Sequence, residues 1–257
     1  MECRKKKARD WNVRIQEELR HTDLRGYFMT MTFNDKSLIR LENDARAKGF
    51  KFDGYELDNK IASLAVRRFT ENWRVQKKKS LRHWLVTELG GTGTERLHLH
   101  GIIWTNEYRK EDLVKFWKYG FCDTGKYVNE KSASYITKYL FKIDPKHKYF
   151  TPKMFVSNGI GAGYLNRHDS KRNEFREGAT NELYRNRQGF KMALPIYYRN
   201  KLYSDEEREK LWIEKLDKEE RYINGVRVDV SNGEEEYYKL LRLESWIVTG
   251  KLYSLFL

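Results

Sequence analysis

Alternation of apolar and polar residues marks several strands in this chain. Residues 27–33 alternate strictly, with tyrosine, methionines and phenylalanine on one face and two threonines on the other, which predicts a central strand. Two further strand-like runs, residues 83–88 and 96–104, flank the glycine-rich segment 89–95, and this arrangement predicts a β-hairpin. A shorter run over residues 125–128 predicts another strand.

Helical spacing of apolar residues predicts the other elements. The helices cover residues 37–48, 58–79, 111–118, 132–142 and 205–221, and a further helix begins at residue 234. Ser204 is the predicted N-cap of the 205–221 helix. Three of that helix's residues are predicted to face the protein body: Leu211, Trp212 and Leu216.

The order of these elements predicts the fold class. Helices, paired strands, a helix, a strand and another helix fit an α+β fold with a single antiparallel sheet and flanking helices, followed by a C-terminal helical extension. A chain of 257 residues with 3 prolines and no low-complexity linker suits one sizeable domain, or one domain with an appendage.

Charge points to a polyanionic partner. The chain has 51 basic and 37 acidic residues, for a formal charge of +14, and nucleic acid is the commonest partner of such a surface. Aromatic residues make up 14% of the chain and offer stacking surfaces for unpaired bases. No long apolar run favours a membrane. Cys3 and Cys122 show no zinc or disulfide spacing, which fits a reducing cytoplasm.

The predicted hairpin carries a candidate metal site. His98 and His100 are two residues apart, so in a strand both point to one face with Cα atoms about 6.6 Å apart. Folding of the hairpin brings Glu88 beside them, and two imidazoles with a carboxylate leave positions open on Mg²⁺ or Mn²⁺ for a phosphate oxygen. Glu95 competes with Glu88, although it lies in a flexible turn. The plainer interpretation is two ordinary hydrogen-bonded histidines.

The 132–142 helix carries candidate nucleophiles. Four of its residues fall at i, i+3, i+4 and i+7 on one face: Tyr135, Lys138, Tyr139 and Lys142. Because Ile136 and Leu140 supply a neighbouring apolar face, the tyrosine face is free to be functional, with Ser132 or Ser134 as cap. A tyrosine hydroxyl can attack a phosphodiester, and an adjacent lysine can stabilise the charge that develops. The alternative is that both tyrosines are core aromatics.

Several basic residues are candidates for DNA contacts. Arg67 and Arg68 lie on the polar side of the 58–79 helix, Lys142 lies on the tyrosine helix, and Arg199 lies among aromatic residues. Such residues gain affinity by neutralising backbone phosphates, although a solvated helix surface explains each of them equally well.

These motifs together resemble the HUH endonucleases that start rolling-circle replication. His98-Leu-His100 is similar to the histidine-hydrophobic-histidine motif of that family, and the threonine-bearing strand at 28–33 is similar to its first motif. Tyr135-Ile-Thr-Lys-Tyr139 resembles the two-tyrosine form found in initiators of small single-stranded DNA phages, the microviruses. Segments 158–164 and 193–203 also resemble microvirus initiators, so the resemblance covers about residues 27–203.

The resemblance implies a fold and a function. It implies a ferredoxin-like or RRM-like HUH endonuclease domain over residues 1–203, with the histidines on the central strand, and a mainly helical extension over 204–257 packed on that core. It also implies a metal-dependent enzyme that nicks and rejoins single-stranded DNA at an origin through a 5′-phosphotyrosine. The expected partners are origin DNA and the host helicase and polymerase, in the cytoplasm of a bacterial host.

Other functions fit parts of the same pattern. A non-catalytic single-stranded nucleic-acid-binding protein needs only the charge and the aromatics, and its binding would ignore chelators. An HUH transposase or relaxase would share the chemistry. A cupin-like oxidase also uses His-x-His but requires a mostly-strand chain, which the helical stripes disfavour.

Overall fold

A computed structural model describes residues 2–90, 95–106, 110–137, 140, 146–187, 189–223 and 226–248. The chain divides into two compact units. The first unit is Arg14–Gly161, and the second unit comprises Met1–Val13 with Ala162–Leu257. The helix α1, Glu2–His21, contributes residues to both. The boundary predicted between residues 203 and 204 falls inside the second unit and stays a prediction.

The first unit is built on one antiparallel sheet. Its strands are β1 Gly26–Thr32, β2 Arg82–Leu89, β3 Leu97–Trp104, β4 Cys122–Tyr127 and β5 Met154–Val156. Its helices after α1 are α2 Asp35–Ala47, α3 Gly54–Lys77, α4 Lys110–Phe116 and α5 Glu130–Thr137. The strand order is β4-β1-β3-β2-β5, so β3 is the central strand, as predicted for the histidine-bearing segment.

One face of this sheet is covered by α2, α3 and α4. Their apolar residues join alternate strand residues in one buried core, whose members include Met29, Leu41, Phe69, Leu99 and Leu113. The helices between β1 and β2 and the helix between β3 and β4 thus pack on the same face, and β1 to β4 lie in the order 4-1-3-2. This βαββαβ arrangement is ferredoxin-like, and it confirms the predicted α+β class.

Gly101 lets the two hairpin strands approach closely. A Cβ at this position would meet the Trp84 carbonyl oxygen and would lie 2.7 Å from Leu85 Cα. Because Gly101 directly follows His100 on β3, the close approach fixes β2 against the histidine-bearing part of the central strand.

The second unit combines short helices and hairpins around buried tyrosines. Two 3-10 helices, Ala162–Asn166 and His168–Asn173, precede strands β6 Leu183–Arg185 and β7 Lys191–Ala193. They are followed by α6 Ile196–Leu202, α7 Asp205–Asp217, β8 Glu220–Ile223, β9 Val226–Asp229 and α8 Glu235–Val248. Four tyrosines form much of the core: Tyr164, Tyr184, Tyr198 and Tyr203. None of the helices in the described ranges is long and apolar enough to span a membrane.

The charged helix α7 confirms one sequence prediction and corrects another. Ser204 caps it through a capping box with Glu207, as predicted. Leu211 is buried, but Trp212 is 61% exposed and Leu216 is 38% exposed, so the prediction that both face the protein body is wrong. The charged residues between them do not repeat an apolar position at every turn, and the helix therefore buries only a narrow stripe.

Candidate active site

The candidate site lies on the sheet face opposite the helical layer. His98 and His100 alternate with buried Leu97 and Leu99 on β3, so both imidazoles leave the core on the same side. Glu88 on β2 lies directly opposite His98 in the antiparallel register. Residues in this relation have Cβ atoms about 5 Å apart. The predicted convergence of the carboxylate and the histidine pair is therefore present.

His100 is held from two sides. Its Nε2 lies 3.0 Å from Glu88 Oε2, and its Nδ1 lies 3.2 Å from Thr30 Oγ1 on β1. The His98 and His100 rings are nearly parallel, with centroids 6.3 Å apart. A ring nitrogen bonded to a hydroxyl or carboxylate fixes the orientation of the other nitrogen, so Thr30 and Glu88 together set the His100 plane.

Burial keeps His98 neutral. Desolvation is the main cause that lowers the pKa of His98, with the nearby His100 contributing in the same direction, while Glu88 opposes the shift. A lowered pKa means that the imidazole is unprotonated near neutral pH, and the unprotonated form is the one that can bind a metal ion.

The residues fit a divalent ion in part. In an octahedral site with bonds of about 2.1 Å, neighbouring ligand atoms are about 3.0 Å apart. The 3.0 Å separation of His100 Nε2 and Glu88 Oε2 matches one such edge. Within the described residues, no three His, Cys, Asp or Glu side chains are already gathered around one point. His98 therefore joins these two ligands only after its side chain rotates.

Glu95 does not compete for this position. Its Oε1 lies 3.7 Å from Lys146 Nζ and 3.9 Å from His147 Nε2, while Glu88 is the carboxylate beside His100. Glu95 also has a left-handed backbone conformation with φ of 41°, typical of a turn.

Tyr135 faces the same side of the sheet. Its side chain is 50% exposed, while the neighbouring Ile136 and Leu140 are buried, as the helical pattern predicted. The Tyr135 ring packs edge-on against Phe28, with centroids 6.3 Å apart. Phe28 in turn stacks on His100, with centroids 6.2 Å apart. One aromatic ring of β1 therefore lies between the phenol and the imidazole.

Two details of the tyrosine helix lie elsewhere. α5 begins at Glu130, so Ser132 and Ser134 are inside it and the prediction that one of them caps it is wrong. Asn129 stands just before the helix, and its carbonyl accepts the Ala133 amide. Lys138, Tyr139 and Lys142 lie outside the described residues.

The predicted DNA-contacting arginines are away from the histidine face. Arg67 and Arg68 lie on α3, which packs on the opposite face of the sheet. Arg67 is exposed, whereas Arg68 donates to Asp44 Oδ2 at 2.6 Å. Arg199 belongs to the second unit, where its Nε lies 2.7 Å from Glu182 Oε1. Their roles in DNA binding stay predictions.

Sequence reasoning missed three aromatic or hydroxyl contacts at the site. It placed the threonines on the functional face by analogy, but not the bond from Thr30 to His100. It also missed Phe28, although alternation puts Phe28 on the same face as Thr30. Thr32 has a different use: its hydroxyl donates to the Phe121 carbonyl at 3.2 Å and accepts the Phe121 amide at 3.0 Å.

Phe121 extends the site face at its edge. Cys122 pairs with Met31 and joins the core, so alternation directs its neighbour Phe121 to the histidine face. Phe121 is 69% exposed and continues the cross-strand row of Glu88, His98 and Thr32. An exposed aromatic ring two strands from the histidines is a stacking surface for a base.

Fold and site together define a class of protein. A carboxylate and two imidazoles on the open face of such a sheet, with an exposed phenol beside them, are groups that can process a phosphodiester. Residues 26–144 match a family model of replication-associated proteins, the ORF2 type, and this segment of the chain belongs to that family. The match runs from the first residue of β1 past α5, so it contains every residue of the candidate site. Comparison with curated proteins and with solved structures found no match.

Proposed function

We propose that this replication-associated protein is a metal-dependent, origin-specific enzyme that nicks and rejoins single-stranded DNA to start rolling-circle replication. The observation that supports this proposal best is the shared contact with Phe28, which has the Tyr135 phenol on one side and His100 on the other. A scissile phosphate lying over this face would meet both a nucleophile and metal-binding groups.

His100, Glu88 and, after rotation, His98 would hold Mg²⁺ or Mn²⁺. When bound, the ion would polarise the scissile phosphate as a Lewis acid. Thr30 would keep the His100 ring in the orientation that directs Nε2 toward the ion, because its hydroxyl contacts the opposite nitrogen.

The phenol oxygen of Tyr135 attacks the scissile phosphorus in this proposal. A bond forms between the tyrosine oxygen and phosphorus, the bond from phosphorus to the 3′ oxygen breaks, and the phenolic proton leaves for solvent or a basic group. The products are a 5′-phosphotyrosine and a 3′-hydroxyl that a polymerase can extend. Because the phosphotyrosine is itself a diester, rejoining needs no ATP.

Lys138 and Tyr139 complete the proposed chemistry. Lys138, next to Tyr139 in the sequence, would stabilise the phenolate or the developing phosphate charge. Tyr139 would act as a second nucleophile that cuts the regenerated origin and closes the displaced strand into a circle. The proposed setting is a small single-stranded DNA phage of the microvirus kind in a bacterial cytoplasm, working with the host helicase and polymerase.

Covalent adduct formation tests the proposal. Labelled single-stranded origin candidates are incubated with Mn²⁺, with Mg²⁺ or with chelator, and adducts are separated on a denaturing gel. We expect adducts only with metal, and none from the double variant Tyr135→Phe with Tyr139→Phe. Tyr149→Phe, which alters a tyrosine that is 77% exposed, is the matched control and should retain them. Adducts formed by the double variant would refute the nucleophile assignment.

A non-catalytic DNA-binding protein is the second candidate. It is favoured by the observation that no three metal-binding side chains are gathered in the described part of the chain. In that case DNA binding would be the same with chelator and with Mn²⁺, and wild-type protein would leave every strand uncut.

A further inference from the structure

A basic cleft lies in the second unit, outside the segment that matches the replication-associated family. Its volume is about 470 Å³. Its lining residues come from the second 3-10 helix and from the loop that follows: His168, Lys171, Arg172, Arg176, Ala179 and Asn181. Three of these side chains are permanently cationic near neutral pH, and none of the described lining residues is acidic.

The two walls of the cleft are joined by a buried side chain. Asn173 is 1% exposed, and its amide nitrogen donates to the Asn181 carbonyl and, at 3.1 Å, to the Leu183 carbonyl. Its Oδ1 accepts the Tyr164 hydroxyl at 2.5 Å. The end of the 3-10 helix is thereby tied to the far side of the loop, so the spacing of the cationic walls is set by buried hydrogen bonds.

The loop is also closed on itself. The Thr180 hydroxyl accepts the Arg176 amide at 2.8 Å and donates to the Arg176 carbonyl at 2.7 Å. These bonds use the backbone of Arg176, so its guanidinium is directed by the loop while remaining exposed. A guanidinium held in this way can bind a phosphate with two parallel hydrogen bonds.

Nearby acids are engaged with other cations. Asp169 pairs with Arg167, and its other oxygen lies 4.0 Å from Arg172. Glu177 lies 3.2 Å from Lys210. In the described ranges, Lys171 and Arg176 have no ion-pair partner, so their charge is available to a ligand.

We infer that this cleft binds backbone phosphates of the DNA strand, as a contact separate from the candidate active site. The inference rests on DNA being the substrate. The chemistry shared by all candidate ligands is a phosphate group, which either the DNA backbone or a free phosphate ester could supply. A continuous strand is favoured because three cations line one cleft and can engage more than one phosphate.

The test compares two triple variants of the full chain. Lys171→Gln with Arg172→Gln and Arg176→Gln removes the cleft charges. Lys201→Gln with Lys218→Gln and Lys239→Gln removes the same charge from exposed residues of the same unit. Binding of a labelled 20-nucleotide single strand is followed by fluorescence anisotropy in chelator, so that no cleavage contributes, at several salt concentrations.

We expect the cleft variant alone to lose most of its affinity. Three phosphate contacts on a single strand correspond to a salt slope smaller by about 2 and to a loss on the order of 50-fold at 0.15 M salt. Equal losses in both variants would overturn the inference. So would competition by millimolar inorganic phosphate beyond that of sodium chloride at equal ionic strength, because it would assign the cleft to small phosphates.

Adduct formation separates this inference from the proposed function. At saturating DNA the cleft variant should still form the phosphotyrosine adduct, since its altered residues lie outside the candidate active site. If wild-type protein forms no adduct but the cleft variant still binds DNA more weakly than its control, the nickase proposal fails and the cleft inference stands.

Discussion

Thr30 and His100 lie directly opposite each other on β1 and β3, and the Thr30 hydroxyl is 3.2 Å from His100 Nδ1. The other nitrogen of the same ring faces Glu88 at 3.0 Å. Three neighbouring strands therefore contribute one group each to a single line of contacts. In such a line, the residue that touches neither metal nor DNA still controls where the ligand nitrogen points.

Thr30→Val tests this control. The substitution keeps the branched shape and removes the hydroxyl, so it should cost about 1 kcal/mol of unfolding free energy. Because the His100 ring loses its orientation, we expect the Mn²⁺ concentration for half-maximal nicking to rise roughly 10- to 100-fold. Thr30→Ser retains the hydroxyl and should restore the wild-type value. An unchanged metal requirement in Thr30→Val would show that the hydroxyl does not position the imidazole.

Phe121→Ala tests the exposed edge of the site face. Phe121 is 69% exposed, so its removal should leave thermal stability nearly unchanged. Loss of one stacked base costs about 1–3 kcal/mol, which corresponds to a roughly 5- to 150-fold weaker affinity for single-stranded DNA in an anisotropy titration.

Phe52→Ala is the matched control for that experiment. Phe52 is 60% exposed and precedes α3, on the helical side of the sheet. A comparable loss of affinity in Phe52→Ala would mean that Phe121 has no special relation to the DNA. Phe121→Trp keeps an aromatic surface and should bind at least as tightly as wild type.

Phe28→Leu tests the connection between the phenol and the imidazole. Leucine preserves an apolar side chain on β1 but removes the ring that contacts both Tyr135 and His100. We expect slower adduct formation at saturating DNA with little change in DNA affinity, because relative placement of reacting groups affects the chemical step. Single-turnover kinetics would measure this, and an unchanged rate would contradict it.

Gly101→Ala should destabilise the sheet. The added methyl group meets the β2 backbone at Trp84 and Leu85, which can move only by breaking the strand pairing, so the expected cost is about 3 kcal/mol or more. Gly49→Ala is the control: nothing lies within 4 Å of its Cβ, and only its φ of 80° opposes the change, at a cost of about 1 kcal/mol. Urea unfolding compares the two, and equal costs would refute the packing argument.

Stability should fall as the solution becomes acidic because of His83. Burial lowers the pKa of His83, whose Nδ1 donates to the Leu81 carbonyl at 2.8 Å. Below about pH 6.5 the unfolded chain binds a proton that the folded chain resists, so the unfolding free energy decreases with pH. His83→Asn should flatten this dependence between about pH 5 and 7 in urea titrations. A profile as steep as wild type would assign the effect to other groups.

Much of the site was predictable because strands repeat every two residues. Alternation alone puts His98 and His100 on one face, and helical spacing alone separates exposed Tyr135 from buried Ile136. The same periodicities failed for Trp212 and Leu216, where charged residues interrupt the apolar stripe and the helix turns both side chains to solvent.

The sequence by itself determined the strands, the helices and the face that each functional side chain occupies, since these follow from local periodicity. Only the tertiary structure decided that Glu88 rather than Glu95 meets the histidines, that Thr30 orients His100, and that Phe28 separates His100 from Tyr135. Those relationships depend on strand register and on contacts between residues far apart in the chain, which no local pattern encodes. The basic cleft is of the same kind, because a buried asparagine, not the spacing of its arginines, brings its walls together.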